Sequence, residues 1–175
     1  MSSHDRTCRF ETALGTCGLR WSEVGIAEVW LPKDRALVGV TPLDSVAGAP
    51  EAVRDAIAGI VTLLDGEPRD LRSVALDLEQ ADGFQRSVYA AAREIGPGET
   101  ATYGEIAHAL GTPQAAREVG AALGLNPVPI VVPCHRVLAA DGALRGFSAP
   151  GGIVTKRRML EIEGAPGFTQ QALFA

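Results

Sequence analysis

Apolar residues recur at two different periods along this chain, and the change from one to the other divides it. In residues 10–40 the apolar bursts are short. Residues 17–21 and 26–31 carry aromatic and β-branched side chains in partial alternation on either side of a turn at 22–25, which predicts a hairpin. A stretch rich in Pro, Gly, Ala and Ser, residues 41–50, reads as a loop. Ala52, Val53, Ala56, Ile57, Ile60, Val61 and Leu64 then recur at helical spacing. Val74, Leu76 and Leu78 alternate with Ala75, Asp77 and Glu79, as in a half-buried strand. These elements predict a small, strand-rich α/β domain over residues 1–82.

The helical period takes over beyond Asp82. Phe84, Val88, Ala91, Ala92 and Ile95 make an apolar stripe that must end at Gly96-Pro97-Gly98. Thr102, with Glu105 three residues on, is a capping box for a helix over 103–110. Gly111-Thr112-Pro113 ends that helix, and a further one over 114–123 gives the pair the short linkage of a helix-turn-helix. Asn126-Pro127-Val128-Pro129 stops it. Ile130-Val131-Val132 is expected to run extended into Pro133-Cys134-His135-Arg136-Val137, and a last helix is expected over 156–163. The fold class is thus α/β, with the small N-terminal domain followed by a helical C-terminal domain over residues 83–175.

Composition narrows the partners more than the fold. Of the 175 residues, 46% are hydrophobic and 21% charged, ordinary values for a globular chain that needs no disulfides to stabilise its core. No apolar run approaches the roughly 20 residues that span a bilayer, and residues 1–9 are polar, so a cytoplasmic protein is expected, with no membrane partner. A formal net charge of −5 argues against a large basic surface, so any contact with nucleic acid must be local. The three cysteines, Cys8, Cys17 and Cys134, cannot all pair, and at least one is a free thiol. With no C-x-x-C pair, and only His4 near Cys8, no metal is expected.

Cys134 stands beside His135 and Arg136, and a thiol near basic or cationic groups has a lowered pKa and a more available thiolate. Neighbours in an extended segment point opposite ways, so a bent backbone or a bridging water is needed before the imidazole can serve the sulfur. The longer segment, Asn126-Pro-Val-Pro-Ile-Val-Val-Pro-Cys-His-Arg-Val137, resembles the active-site segment of the O6-alkylguanine-DNA alkyltransferases, also called methylated-DNA–protein-cysteine methyltransferases. The resemblance extends to residues 98–107 and 115–120 and on to Lys156 and Glu163.

The resemblance implies DNA repair without a cofactor, in which a monomer moves an alkyl group from O6-alkylguanine, and in some relatives O4-alkylthymine, in duplex DNA onto Cys134 once per molecule. It further implies that His135 takes the thiol proton through a water, that Glu163 holds the other imidazole nitrogen, that Asn126 braces the active-site turn and that the Tyr103 hydroxyl bonds the guanine edge. The reacting O6 is reached only when the nucleotide is flipped out of the stack. The helix over 114–123 carries few base-reading side chains, and its small residues, Ala116 and Gly120 among them, suit close approach to a minor groove about 6 Å wide. By resemblance Arg117 fills the gap left by the flipped base, and Arg136, Val137 and Ser148 contribute to DNA or base binding.

Two departures stand out. Glu118 puts a carboxylate beside Arg117, and the loop over 145–152 is longer than the common family form, with Phe147 where tyrosine is frequent. Ser22 and Ala27 occupy the places of the zinc ligands of some animal relatives, which again points to no metal. Alkyltransferase-like proteins bind such lesions without the cysteine, whereas this chain keeps it. A cysteine hydrolase would instead form a thioester that water cleaves. After the last helix, Gln170, Leu173 and Phe174 match the Q-x-x-L-F peptide by which bacterial repair and replication proteins dock on the sliding clamp.

Overall fold

The computed structural model describes residues 6–45, 48–145 and 147–169. Its N-terminal part is a three-stranded antiparallel sheet, β1 (Thr7–Thr12), β2 (Gly15–Trp21) and β3 (Ile26–Trp30), in the order β1-β2-β3. Thr12 opposite Gly15 closes the first hairpin. Gly15, at φ +119, supplies a backbone conformation that side chains resist. In this register Cys8, Phe10, Cys17 and Leu19 share one face and are buried. They join Val53, Ala56, Ile57 and Ile60 of α1 (Glu51–Leu64) in the hydrophobic core.

Residues 74–78, expected as a strand, make only a single bridge, Ile26 to Leu76, through hydrogen bonds from Ile26 N to Ala75 O and from Asp77 N to Ile26 O. The Asp77 side chain accepts from the Ser22 hydroxyl, in the turn before β3, and from Glu79 N two residues on, which anchors the segment at that crossing. Gly25 makes this close crossing feasible, since a Cβ on it would lie 2.3 Å from the Ala75 carbonyl oxygen.

α2 (Gly83–Arg93) starts on a capping box between Asp82 and Gln85 and buries Val88, Tyr89 and Ala92, leaving Phe84 at the surface. A two-residue strand, β4 (Ala101–Thr102), leads into α3 (Tyr103–Ala109), where the expected Thr102–Glu105 capping box is present. α4 (Ala116–Gly124) begins two residues later than its pattern suggests, because Ala115 N first closes a turn onto Thr112 O. The buried Tyr89 hydroxyl donates to Ala122 O and ties α2 to α4.

After α4 the backbone does not run extended. Val132 N bonds Val128 O, and Ile130 sits at φ +75, so residues 128–132 form a tight turn. A 3-10 turn, Cys134–Arg136, follows and leads into β5 (Val137–Leu138), which pairs in parallel with β4. α5 (Gly152–Glu163) starts four residues before its expected position, after Gly151 at φ +86. Val29 N of β3 donates to Pro127 O, and one continuous core runs from Cys8 to Met159, so the sheet and the helices hold each other. Among the described residues no helix is long and apolar enough to cross a membrane.

Candidate active site

Asn126 organises the turn before the cysteine. Its Nδ2 donates to Val132 O at 2.9 Å and its Oδ1 accepts from Val128 N at 3.0 Å, so one amide clamps both ends of a turn that contains a left-handed Ile130. Asn126 also lies near enough to Cys134 to favour its thiolate. The 3-10 turn that follows supplies the bend an extended strand lacks, and it brings Cys134, His135 and Arg136 all inward. Their exposures are 8%, 1% and 5%.

Cys134 lies on the wall of a cleft of about 600 Å³ lined also by Asn126, Pro129, Phe147, Ser148 and, from the sheet side, Trp30 and Leu31. Cys8 and Cys17, by contrast, have no exposed surface, and burial pushes both thiols up to about 11. The neighbouring basic residues do not lower the Cys134 thiol as their sequence proximity suggests. Burial raises it, and the Asn126 side chain and the Lys156 charge oppose that only in part. The resting group is therefore a thiol that needs a proton acceptor.

His135 is placed to be one. Burial lowers its pKa, the Glu163 hydrogen bond and charge work the other way, and the charges of Arg136 and Lys156 lower it further, leaving a neutral ring at pH 7. Its Nε2 lies 2.9 Å from Glu163 Oε1. Burial alone would raise the Glu163 carboxyl, but the hydrogen bonds from His135 and Arg136 and the charge of Arg136 bring it down to about 2. An ionised carboxylate only accepts, so Nε2 carries the ring proton and Nδ1 the lone pair. That Nδ1 is buried and has no hydrogen-bond partner among the described residues.

Arg136 and Val137, expected at the DNA or base surface, lie inside. Arg136 donates to both oxygens of Glu163 and to Ile95 O because the 3-10 turn aims it at α5 rather than at solvent. Val137 has no exposed surface, and its carbonyl accepts from Lys156 Nζ at 2.6 Å. Ser148 is exposed and its hydroxyl donates to Gly124 O, strapping the 147–150 segment to the end of α4. The Tyr103 hydroxyl donates to Arg145 O at 2.9 Å.

On α4, Arg117 and Glu118 are exposed, Ala116 and Gly120 are half-buried, and Gly120 lies beneath the Tyr103 ring, which a Cβ there would meet at 3.8 Å. Glu118 makes no ion pair among the described residues, so α4 presents both charges to its surroundings. Among the described residues no group of three His, Cys, Asp or Glu converges as metal ligands.

Lys156 has a place at this site that its sequence does not reveal. It is 1% exposed, donates to Val137 O and Arg145 O, and sits 5.8 Å from the centre of the Tyr103 ring. Burial lowers its ammonium to about 8, a shift that a thiolate at Cys134 would oppose. In the run Lys156-Arg157-Arg158 nothing local distinguishes the side chain that turns inward.

Residues 83–165 match the family described as 6-O-methylguanine DNA methyltransferase, DNA binding domain. The methylated-DNA–protein-cysteine methyltransferase of Methanosarcina acetivorans is 38% identical over 157 residues, 89% of this chain and 96% of that protein. Its counterpart in Mycobacterium tuberculosis is 44% identical over 128 residues, 73% of this chain and 71% of that protein. The crystal structure of Mycobacterium tuberculosis OGT in complex with DNA is similar with a TM-score of 0.72 at 34% identity, covering 93% of this chain and 96% of that one. The O6-methylguanine-DNA methyltransferase of Pyrococcus kodakaraensis is similar with a TM-score of 0.67 at 29% identity, covering 91% and 99%.

Proposed function

This chain belongs to the methylated-DNA–protein-cysteine methyltransferase family and repairs DNA by moving an alkyl group from O6-alkylguanine onto a cysteine of its own, and from that premise we propose that Cys134 is the acceptor. One observation carries the assignment. Among the described residues Cys134 is the thiol that lines a cleft, and the next residue carries a buried imidazole whose Nδ1, without a hydrogen-bond partner among those residues, can take a proton.

In the proposed reaction the thiol proton passes through a water to His135 Nδ1, and Glu163 stabilises the resulting imidazolium. The sulfur attacks the alkyl carbon, the carbon–O6 bond breaks and its electron pair leaves with the guanine, which takes up a proton. Tyr103 serves the departing base by exchanging the Arg145 carbonyl for the guanine edge, and the backbone near Ser148 faces O6. The product is a thioether that water does not cleave, so each molecule acts once.

Arg117, Ala116 and Gly120 of α4 are proposed to meet the minor groove, with Arg117 occupying the space of a flipped nucleotide. The exposure of Arg117 and the small side chains beside it support this reading. We also propose that the protein works as a cytoplasmic monomer. Residues 170–175, which lie outside the described residues, are proposed to dock on the sliding clamp through Gln170, Leu173 and Phe174.

Mass spectrometry after incubation with duplex O6-methylguanine DNA tests the acceptor. One stable methyl on Cys134 per chain is expected, and none in Cys134→Ala, which should still bind DNA. A methyl group on Cys8 or Cys17, or tight binding with no adduct, would overturn the assignment.

A further inference from the structure

Arg136 is a buried cation whose guanidinium makes three hydrogen bonds, yet a proton relay from Cys134 through His135 to Glu163 leaves it without a part. Its Nε donates to Glu163 Oε2 at 2.9 Å, its Nη2 to Glu163 Oε1 at 2.7 Å and its Nη1 to Ile95 O at 2.6 Å. The paired side chains are 6% and 2% exposed. Gly98 N adds a longer donation to Oε2, at 3.3 Å. Glu163 therefore accepts from four donors, three of them fixed by the planar guanidinium and the imidazole, which leaves its carboxylate little freedom to rotate.

We propose that Arg136 is a positioning residue for the alkyl transfer: by holding Glu163 in one orientation through two oxygens, it presents Oε1 to His135 Nε2 and so selects the imidazole tautomer whose Nδ1 can accept the thiol proton. The inference rests on the relay reading of Cys134 and His135. It gives the arginine next to the catalytic pair a role that requires it to be inside rather than on DNA.

The geometry has a second consequence. A carboxylate beside an imidazole raises the pKa of the ring and so works against its use as a proton acceptor. The charged groups facing His135 are Glu163 and Lys156 of α5, Arg136 on its own turn, and the thiol of Cys134. Burial is the main influence that keeps the ring a free base, and Arg136, hydrogen-bonded to both oxygens of Glu163, adds to it by offsetting the carboxylate charge.

The test uses the full-length protein, with folding checked by circular dichroism. Nitrogen-15 spectra of the His135 ring read the tautomer without DNA, and single-turnover methyl transfer is followed against pH. In the wild type the ring should carry its proton on Nε2. Arg136→Lys keeps the charge but loses the two-oxygen grip. It should mix the tautomers and slow transfer by up to about a hundredfold, the scale of a misplaced catalytic group, with the acid limb of the pH profile unmoved. Arg136→Gln should move that limb up by about one pH unit, the scale of one lost neighbouring charge. In a Glu163→Gln background it should add little further loss.

A single Nε2 tautomer and wild-type rates in Arg136→Lys would overturn the proposal. So would an unmoved acid limb in folded Arg136→Gln, or equal losses from Arg136→Gln with and without Glu163. Should Arg136→Gln not fold, Arg136→Lys decides alone. A wild-type protein that never methylates Cys134 would overturn the functional reading instead, because the tautomer is read without the reaction.

Discussion

Glu163 has a side chain only 2% exposed and a carboxyl held at about 2 against a burial penalty. In an unfolded chain the same group titrates near 4.3. Because the folded value is the lower one, the stabilisation is complete above about pH 4.3 and is lost as the pH falls towards 2, an effect of order 3 kcal/mol. The unfolding free energy should therefore drop more between pH 5 and pH 2.5 in the wild type than in Glu163→Gln. Equal acid losses in chemical denaturation of the two proteins would contradict the burial and pairing of this carboxylate. Lys156 behaves in the opposite sense: burial disfavours its charged form, and three acceptors, two carbonyls and the Tyr103 ring, compensate in part.

At the scale of elements, α4 is short, has no side-chain N-cap and is held mainly by burial of Val119, Ala122 and Leu123. Its outer side carries the exposed Arg117 and Glu118, with small residues to either side. A free O6-benzylguanine base needs no flipping, whereas a nucleotide in a duplex must leave the stack at a cost of a few kcal/mol. Arg117→Ala should slow repair of duplex DNA on the order of tenfold, equivalent to about 1.4 kcal/mol of barrier, and leave reaction with the free base close to wild type. Equal losses on both substrates in single-turnover assays would place Arg117 in the pocket or the fold. Glu118 is exposed as well, and if α4 meets DNA its carboxylate would weaken the local attraction for phosphate that an acidic protein must rely on.

The whole molecule carries a net charge of −5, so long-range attraction to DNA is weak and a second means of recruitment has value. Gln170, Leu173 and Phe174, with two adjacent apolar side chains, have the chemistry of anchors for a hydrophobic pocket on a clamp. Full-length protein should bind purified sliding clamp, Leu173→Ala/Phe174→Ala should not, and both should transfer methyl groups at the same rate in solution. Equal binding by the two proteins, or none by the intact one, would remove the clamp reading. The junction between the halves is a matter of the same scale: Val29 N to Pro127 O joins the edge of the sheet to the segment that Asn126 braces. The N-terminal sheet thereby backs the active-site turn, and Trp30 and Leu31 line the cleft that Cys134 faces.

The sequence by itself determined what short-range interactions decide. The Thr102–Glu105 capping box, the stripe of α2 and the proline stops after α4 depend on neighbours within about one helical turn, and all three are legible in the chain. The segment from Asn126 to Val137 identified the chemistry because so many chemically distinct residues stand in one spacing. Only the tertiary structure decided which groups face inward. Residues 74–78 have the alternation of a strand but make one bridge, at a crossing that Gly25 makes feasible and the Asp77 side chain anchors. Ile130 takes a left-handed backbone within the turn that Asn126 bridges from Val128 to Val132. Arg136, expected at the DNA or base surface, and Lys156, one of three consecutive cations, are enclosed by Glu163, Ile95 and the carbonyls of Val137 and Arg145, since a charge can be buried only where distant parts of the chain supply its partners.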